Sequence, residues 1–268
     1  MPTLEEIKAK QQVTWNSGDY GKIAWITVPL ADVLCDAIDI RPGSKVLDVA
    51  CGTGHVALAA ARRFCKVTGS DYVPKFLEVA RARAAAEGLT VDFREGDAEN
   101  LPFDSGSFDY VLSNIGAMFA PNQEKTASEL LRVCAPGGTV GMINWKPQGF
   151  VGELFTVAGR FIPPPAGLKP ASLWGTEDRL RELFGDGAAS LTFKNGSIPQ
   201  RYLSVEHYAD FFLQNYGPSL KTAEALDGEK RKEYRQALVA LAGKFNRAND
   251  GTCVYDSDYT IVIATRKK

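Results

Sequence analysis

The residues whose types and spacing could do chemistry gather around one glycine turn. Gly52-Thr53-Gly54 follows the short apolar run Val46-Leu47-Asp48-Val49 and precedes an Ala-rich stretch from His55 to Arg63. A strand that ends in Gly-x-Gly lets a ligand approach the backbone closely, and the first N–H groups of the next helix face that ligand. The segment from Gly52 to Ala57 satisfies G-x-G-x-x-G/A, and Asp71 lies 19 residues beyond Gly52, where an acid that binds a ribose belongs. On spacing alone a dinucleotide stays open as the ligand. Asp48 stands inside the strand near the turn, and its negative charge disfavours a pyrophosphate but suits a ligand with an ammonium and a sulfonium. S-adenosylmethionine is such a ligand.

These residues need a frame that brings strand ends together. From Lys45 onward, short β-branched runs alternate with helical patterns, as in βα units that build a parallel sheet. The runs Val46–Val49, Lys66–Asp71, Thr90–Arg94, Phe108–Ser113 and Thr139–Trp145 read as five strands, with helices over 55–63, 75–87 and 124–134. Beyond Trp145 the pattern changes: a possible helix over 152–161 meets Pro163-Pro164-Pro165, which cannot continue it. A helix over 177–184, a strand over 191–196, helices over 205–214 and 229–246, and a last strand over 259–265 follow. Ahead of the first strand, Trp15, Tyr20 and Trp25 interleave with glycine and polar residues as a flap, and 30–38 reads as an amphipathic helix.

Composition narrows the partners. The chain has 268 residues, 45% of them hydrophobic and 24% charged, which excludes a disordered or fibrous class. A formal charge of -1 leaves no basic surface for counterion release, so nucleic acid is not expected as a partner. The polar start, Met1 to Gln12, lacks the apolar core of a leader, and no apolar run approaches the roughly 18 residues of a membrane span. A cytoplasmic, unanchored protein is the expectation. Five cysteines, Cys35, Cys51, Cys65, Cys134 and Cys253, form no CxxC pair, so neither a disulfide framework nor a metal site is expected.

The run Val46-Leu47-Asp48-Val49-Ala50-Cys51-Gly52-Thr53-Gly54 resembles motif I of the class I S-adenosylmethionine-dependent methyltransferases, in the type 11 or UbiE-like small-molecule group. Three further blocks resemble the same family: Gly69-Ser70-Asp71, the segment from Glu95 to Phe103 with Phe108-Asp109, and the segment from Leu131 to Gly138. The likeness covers about Lys45 to Trp145. With the strand reading it implies an α/β fold: a doubly wound, mostly parallel seven-stranded sheet, last strand antiparallel, with helical cap insertions. One methyltransferase domain over 1–268 is then expected, with a flap and helix over 1–40, a cofactor-binding core over 41–148 and caps over 149–175 and 204–250. Ala50 stands where the family often has a glycine, a change that is tolerated if the backbone there keeps negative φ.

Carried over by position, the resemblance places the methionine part of S-adenosylmethionine beside Ala50, Gly52 and Gly54, with Thr53 in the turn and Asp48 acting nearby or through water. It assigns both ribose hydroxyls to Asp71, with Tyr72 alongside, the adenine amino group to Asp97, a ring nitrogen to the Ala98 N–H, and backbone contacts near the sulfonium to Asn114. Tyr20 is a candidate lid over the cofactor carboxylate. The product cofactor would be S-adenosylhomocysteine.

Methyl transfer from a sulfonium is an in-line displacement with a neutral thioether as leaving group, so placement and exclusion of water do most of the work. A base is needed only where the acceptor must lose a proton. The chain has two histidines. His55 opens a helix, where the dipole disfavours its protonated form. His207 lies among Tyr208, Phe211 and Phe212, and with Tyr20 it is a candidate base; neither is assigned. Substrate contacts are expected from Trp25, Met118, Phe119, Asn144 and Trp145, because open sheets bind ligands beyond their carboxyl edges. The apolar residues Phe150, Leu154, Phe155, Phe161 and Trp174 hint at an aromatic or lipophilic acceptor or close a second small core. A nicotinamide oxidoreductase and a non-catalytic cofactor-binding regulator are the alternatives. Asp97, as a second acidic block, argues against the first, and the short supply of acid–base residues keeps the second open.

Overall fold

Residues 46–49 are all buried, as a strand covered on both faces must be, and they form an interior strand of the sheet. The computed structural model describes residues 2–268. In chain order the elements are α1 (Leu4–Asn16), α2 (Tyr20–Ala24), α3 (Val28–Ile38), β1 (Lys45–Val49), α4 (His55–Arg62), β2 (Lys66–Asp71), α5 (Pro74–Ala86), β3 (Val91–Glu95) and β4 (Phe108–Asn114). They continue with α6 (Gln123–Val133), β5 (Cys134–Trp145), α7 (Phe150–Phe161), α8 (Glu177–Phe184), β6 (Ala188–Tyr202), α9 (Val205–Asn215), α10 (Gly217–Ala225), α11 (Gly228–Phe245) and β7 (Cys253–Arg266). The seven strands form one sheet in the order β3-β2-β1-β4-β5-β7-β6, with the last strand antiparallel. This is the architecture that the strand reading and the resemblance imply.

Parallel pairing sets the site. Asp48 pairs with Gly69 on β2 and with Leu112 on β4, and Asp71 pairs with Glu95 on β3. The carboxyl ends of β1 to β4 therefore come level at one edge, and each turns into a loop there.

By compactness the chain divides into two units. One comprises Thr27–Asn144, Lys169–Asn195 and Thr260–Lys268. Its core holds Leu47, Val49, Val111, Leu112 and Ile143, each fully enclosed, and a buried side chain of this size stabilises the fold by about 1.5–3 kcal/mol. The other comprises Met1–Ile26, Trp145–Leu168 and Gly196–Tyr259. Aromatic rings pack its interior: Phe150 stacks on Tyr255 with centroids 3.6 Å apart, and Tyr208 and Phe245 meet Phe150 edge-on at 5.3 and 5.6 Å. Phe150 and Leu154 thus serve this core. Trp174 is buried in the first unit instead, edge-on to Phe184.

Several elements depart from the sequence reading for identifiable reasons. α1 is a helix within the segment read as a flap; its signal is the capping box in which Thr3 accepts the Glu6 N–H and the Glu6 carboxylate accepts the Thr3 N–H. α10 begins on Gly217-Pro218, residues that suggest a break, because proline is tolerated in a first helical turn. β6 extends to Tyr202 through Pro199 because it is the edge strand, where a missing N–H leaves no partner unpaired. β5 starts at Cys134 rather than Thr139: Cys134 pairs with Phe108 and Thr139 with Tyr110, so the Pro-Gly-Gly turn is looped out within the strand. Ala50 is a correction to the expected negative φ, since it has φ +52°. The loop leaving β1 requires the left-handed region, which costs a non-glycine residue about 1–2 kcal/mol.

Candidate active site

The loop after β1 is held from three sides. From below, Asp48 Oδ2 accepts the Ala57 N–H at 2.8 Å, in the first turn of α4. Gly54, the residue before that helix, has no side chain to cap it, so the strand supplies the acceptor instead. From the side, Asp71 Oδ2 accepts the Gly52 N–H at 2.8 Å while Oδ1 accepts the Val73 N–H at 2.9 Å. From α5, Arg83 donates to the Thr53 carbonyl at 2.7 Å and to its hydroxyl at 3.3 Å. The Thr53 side chain is thus buried against Arg83.

The loops beyond the other strands close on the same edge. The Gly96 N–H donates to the Asp71 carbonyl, and Asp97 Oδ1 accepts the Glu99 N–H at 2.9 Å, which shapes the turn that carries Ala98. The Ser113 hydroxyl donates to the Val49 carbonyl at 2.8 Å and accepts the Ala117 N–H at 3.0 Å. Ile115 has φ +59°, and a Cβ on Gly116 would stand 2.3 Å from the Ala50 carbonyl oxygen, so the loops after β1 and β4 touch backbone to backbone. At Gly52, by contrast, an added Cβ meets nothing within 4 Å. The turn faces open space there, as a cradle for a ligand would.

Charge at this edge differs from the sequence reading. Asp48 is 1% exposed, and burial pushes its carboxyl up to about 8 against the pull of the Ala57 N–H, with Asp71 adding to the rise. Near neutral pH it is therefore largely protonated, and its part is to tie β1 to α4 rather than to supply charge. Burial also raises Asp71, to about 6, with the Val73, Gly52 and Tyr72 N–H groups holding it down, so Asp71 is largely ionised at pH 7. Burial and the neighbouring Asp71, Asp97 and Glu99 push the Tyr72 phenol above its usual range. Burial, then Arg83 and Arg62, lower His55 to about 3, which leaves a neutral imidazole.

Asp48, Ala50, Gly52, Thr53, Gly54, Asp71, Tyr72, Asp97, Ala98 and Asn114 thus share one unit and the carboxyl edges of β1 to β4. Met118, Phe119 and Asn144 belong to the same unit; Met118 and Asn144 are fully enclosed. Tyr20, Trp25, Trp145 and His207 belong to the other unit. There Tyr20 packs edge-on against Trp15 at 5.5 Å, Trp25 is 63% exposed, and His207 Nδ1 accepts the Leu203 N–H at 3.3 Å in the turn that starts α9. Asp109, in the Phe108-Asp109 pair of the resembling block, accepts the Lys45 N–H at 2.8 Å at the start of β1.

A methyltransferase-domain profile matches residues 46–138. The uncharacterized protein Rv1405c of Mycobacterium tuberculosis is 37% identical over 269 residues, spanning 98% of this chain and 96% of its own. The demethylmenaquinone methyltransferase of Thermus thermophilus is 39% identical over 135 residues, 48% of this chain and 61% of its own. A putative methyltransferase from Bacillus halodurans superposes with a TM-score of 0.62 at 23% identity, covering 89% of this chain and 99% of that one, and so shares the fold. The chain belongs to the S-adenosylmethionine-dependent methyltransferases. The nicotinamide reading of the glycine turn is thereby set aside.

The methyltransferase edge fits its cofactor chemically. Asp71 already accepts backbone N–H groups from Gly52 and Val73, with the Tyr72 N–H drawing on it as well, yet a carboxylate offers about four lone-pair sites, which leaves capacity for a ribose hydroxyl. Asn114 Oδ1 is buried without a partner at the end of β4, and such an atom awaits a donor. Three residues that support this methyltransferase site, Arg83, Ser113 and Gly116, escape sequence reading. Only Gly116, a glycine just past a strand, leaves a local trace; Arg83 and Ser113 act across 30 and 64 residues of chain.

Proposed function

We propose that this methyltransferase transfers the methyl group of S-adenosylmethionine to a small-molecule acceptor, aromatic or lipophilic, by in-line displacement. The observation that carries the reading is the Gly52 turn, open to a ligand and flanked by the Asp71 carboxylate. When bound, the cofactor supplies an electrophilic methyl group on a positively charged sulfur. Gly52 and Gly54 let its methionine part lie on the backbone, and Ala50 borders it. Asp71 accepts the ribose hydroxyls, with Tyr72 beside it. Asp97 and the Ala98 N–H take the adenine edge, and Asn114 stands near the sulfur. Asp48 and Thr53 hold the turn in shape rather than touch the ligand. With the charge of the sulfonium lost on transfer, no residue need protonate the leaving group, and the chain's contribution is orientation and dryness.

Met118, Phe119 and Asn144, in the unit that carries the glycine turn, are assigned to the acceptor on their positions in the chain. The Thermus relative methylates demethylmenaquinone by name, which supports a lipophilic ring as acceptor class. Two measurements test the reading. Mass spectrometry of the purified protein is expected to find retained S-adenosylhomocysteine or S-adenosylmethionine. Turnover is expected with at least one member of a panel of phenols, amines and quinols; cofactor binding without any turnover would instead favour a regulator.

A further inference from the structure

The peptide between Thr53 and Gly54 is pinned at both of its polar ends. Its N–H donates to the Cys51 carbonyl at 2.9 Å, which closes the glycine turn. Its carbonyl accepts from Arg83 of α5 at 2.7 Å, and the same guanidinium reaches the Thr53 hydroxyl at 3.3 Å. The first bond is local and neutral. The second is charge-assisted, roughly twice as strong as a neutral one, and comes from 30 residues along the chain. Gly54 has φ +84°, and glycine enters either half of φ space with similar ease, so Gly54 itself does little to stop this peptide from turning over. α5 lies against the turn as well: an added Cβ at Gly54 would stand 3.1 Å from the Ala80 Cβ, and Arg83 follows one helical turn later on the same face. A further turn on, Glu87 accepts two bonds from Arg62, at the end of α4, at 2.7 and 2.6 Å.

We propose that Arg83 is a positioning residue for S-adenosylmethionine, locking the Thr53–Gly54 peptide so that the glycine turn is formed before the ligand arrives. The inference rests on the reading of this turn as the cofactor cradle. Arg83 acts through the turn, since its bonds go to Thr53 rather than to a ligand. A loop already ordered loses less conformational freedom on binding, and an error of about 1 Å in placing a reacting group can cost on the order of 100-fold in rate. Burial favours the same role. Thr53 is 4% exposed and Arg83 is half-buried, so water competes weakly for this bond. Arg62 and Glu87, by contrast, have side chains 43% and 36% accessible and form a pair of the exposed kind that contributes little. α5 thus holds α4 firmly at the turn that starts it and loosely at its far end. His55, next in the chain after Gly54, lies near the same guanidinium, and burial together with that charge keeps its imidazole neutral.

Calorimetric titration of the full chain with S-adenosylhomocysteine tests this. Arg83→Met keeps the apolar stem and loses the donors, and it is expected to bind at least about tenfold more weakly than wild type. Arg83→Lys, with a single ammonium in place of the planar fork, should fall between the two. Arg62→Met, which breaks the pair at the far end of α4, is the control, and its affinity should lie within about threefold of wild type. A role confined to fold stability would instead make affinity follow the urea-unfolding free energy of the two methionine variants. Wild-type affinity in Arg83→Met, or an Arg83→Met that binds no more weakly than Arg62→Met, overturns the proposal; should Arg83→Met not fold, wild-type affinity in Arg83→Lys does so. A wild-type chain that does not bind S-adenosylhomocysteine removes the cofactor reading and this proposal together, whereas tight wild-type binding with unchanged variants removes the positioning role alone.

Discussion

Asp71 accepts the Gly52 N–H at 2.8 Å, so one carboxylate fixes the turn after β1 and also stands at the edge of the cradle that the turn makes. Tying and binding are not separable here. Removal of the acid relaxes the loop and deletes an acceptor at once.

Asp71→Ala is therefore expected to cost about 1.5–3 kcal/mol of cofactor binding, since hydrogen bonds to a charged acceptor disappear. Isothermal titration calorimetry should report affinity weakened roughly tenfold to 150-fold. Unchanged affinity in a folded variant rules out the ribose assignment.

The same carboxyl sets a pH dependence. With burial holding Asp71 near 6, donation from hydroxyls favours its ionised form, so cofactor affinity should be level above pH 6. Below that it should fall by up to about tenfold per pH unit. Titrations at pH values from about 5 to 7 check this, and Asp71→Asn should flatten the curve. A wild-type affinity that is constant across the range contradicts the role.

Asp48 sets the stability of the cofactor-free chain in a different window. Its folded value, about 8, lies above the ordinary carboxyl value of 3.8. The folded state thus holds its proton more tightly than the unfolded state does. The stabilisation is fully present below pH 4 and is lost as pH rises towards 8. Wild-type unfolding free energy should decline between pH 7 and 8 by up to about 1.4 kcal/mol per unit, after the Asp71 contribution and the opposing one from His55, whose folded value lies below its ordinary 6.5, have largely ended. Asp48→Asn keeps an acceptor for Ala57 but cannot ionise, so its urea-unfolding free energy should lack this decline over that unit. A variant that declines in parallel with wild type removes Asp48 as the cause.

Gly116→Ala puts a Cβ 2.3 Å from the Ala50 carbonyl oxygen, and both groups are backbone-bound. Either the loop after β4 or the turn after β1 must move. Overpacking of this kind costs about 1–3 kcal/mol, and displaced turn atoms no longer match the ligand. Thermal unfolding should come a few degrees lower, and cofactor affinity should drop at least about tenfold. Wild-type affinity in this variant places the cofactor away from Ala50.

Much of this architecture is legible from local signals. Strands such as Val46–Val49 announce themselves by short apolar runs, and Gly52-Thr53-Gly54 marks a turn because few other residues accept its backbone. Such signals depend on neighbours a few residues away, and residue types determine them. That is why the sheet, the glycine turn and the acids at its edge, Asp71 and Asp97, follow from the chain alone. What the tertiary structure decided depends on distant groups. Asp48 reads as a charge in the sequence, and only its enclosure by β2, β4 and α4 makes it a mostly neutral tie at pH 7. Ala50 reads as harmless, and only the loop path forces its φ positive. Arg83 and Ser113 reach the turn from other elements, and Pro199 sits within a strand because that strand is an edge. Burial, protonation and contact are sums over the whole fold, so no window of sequence contains them.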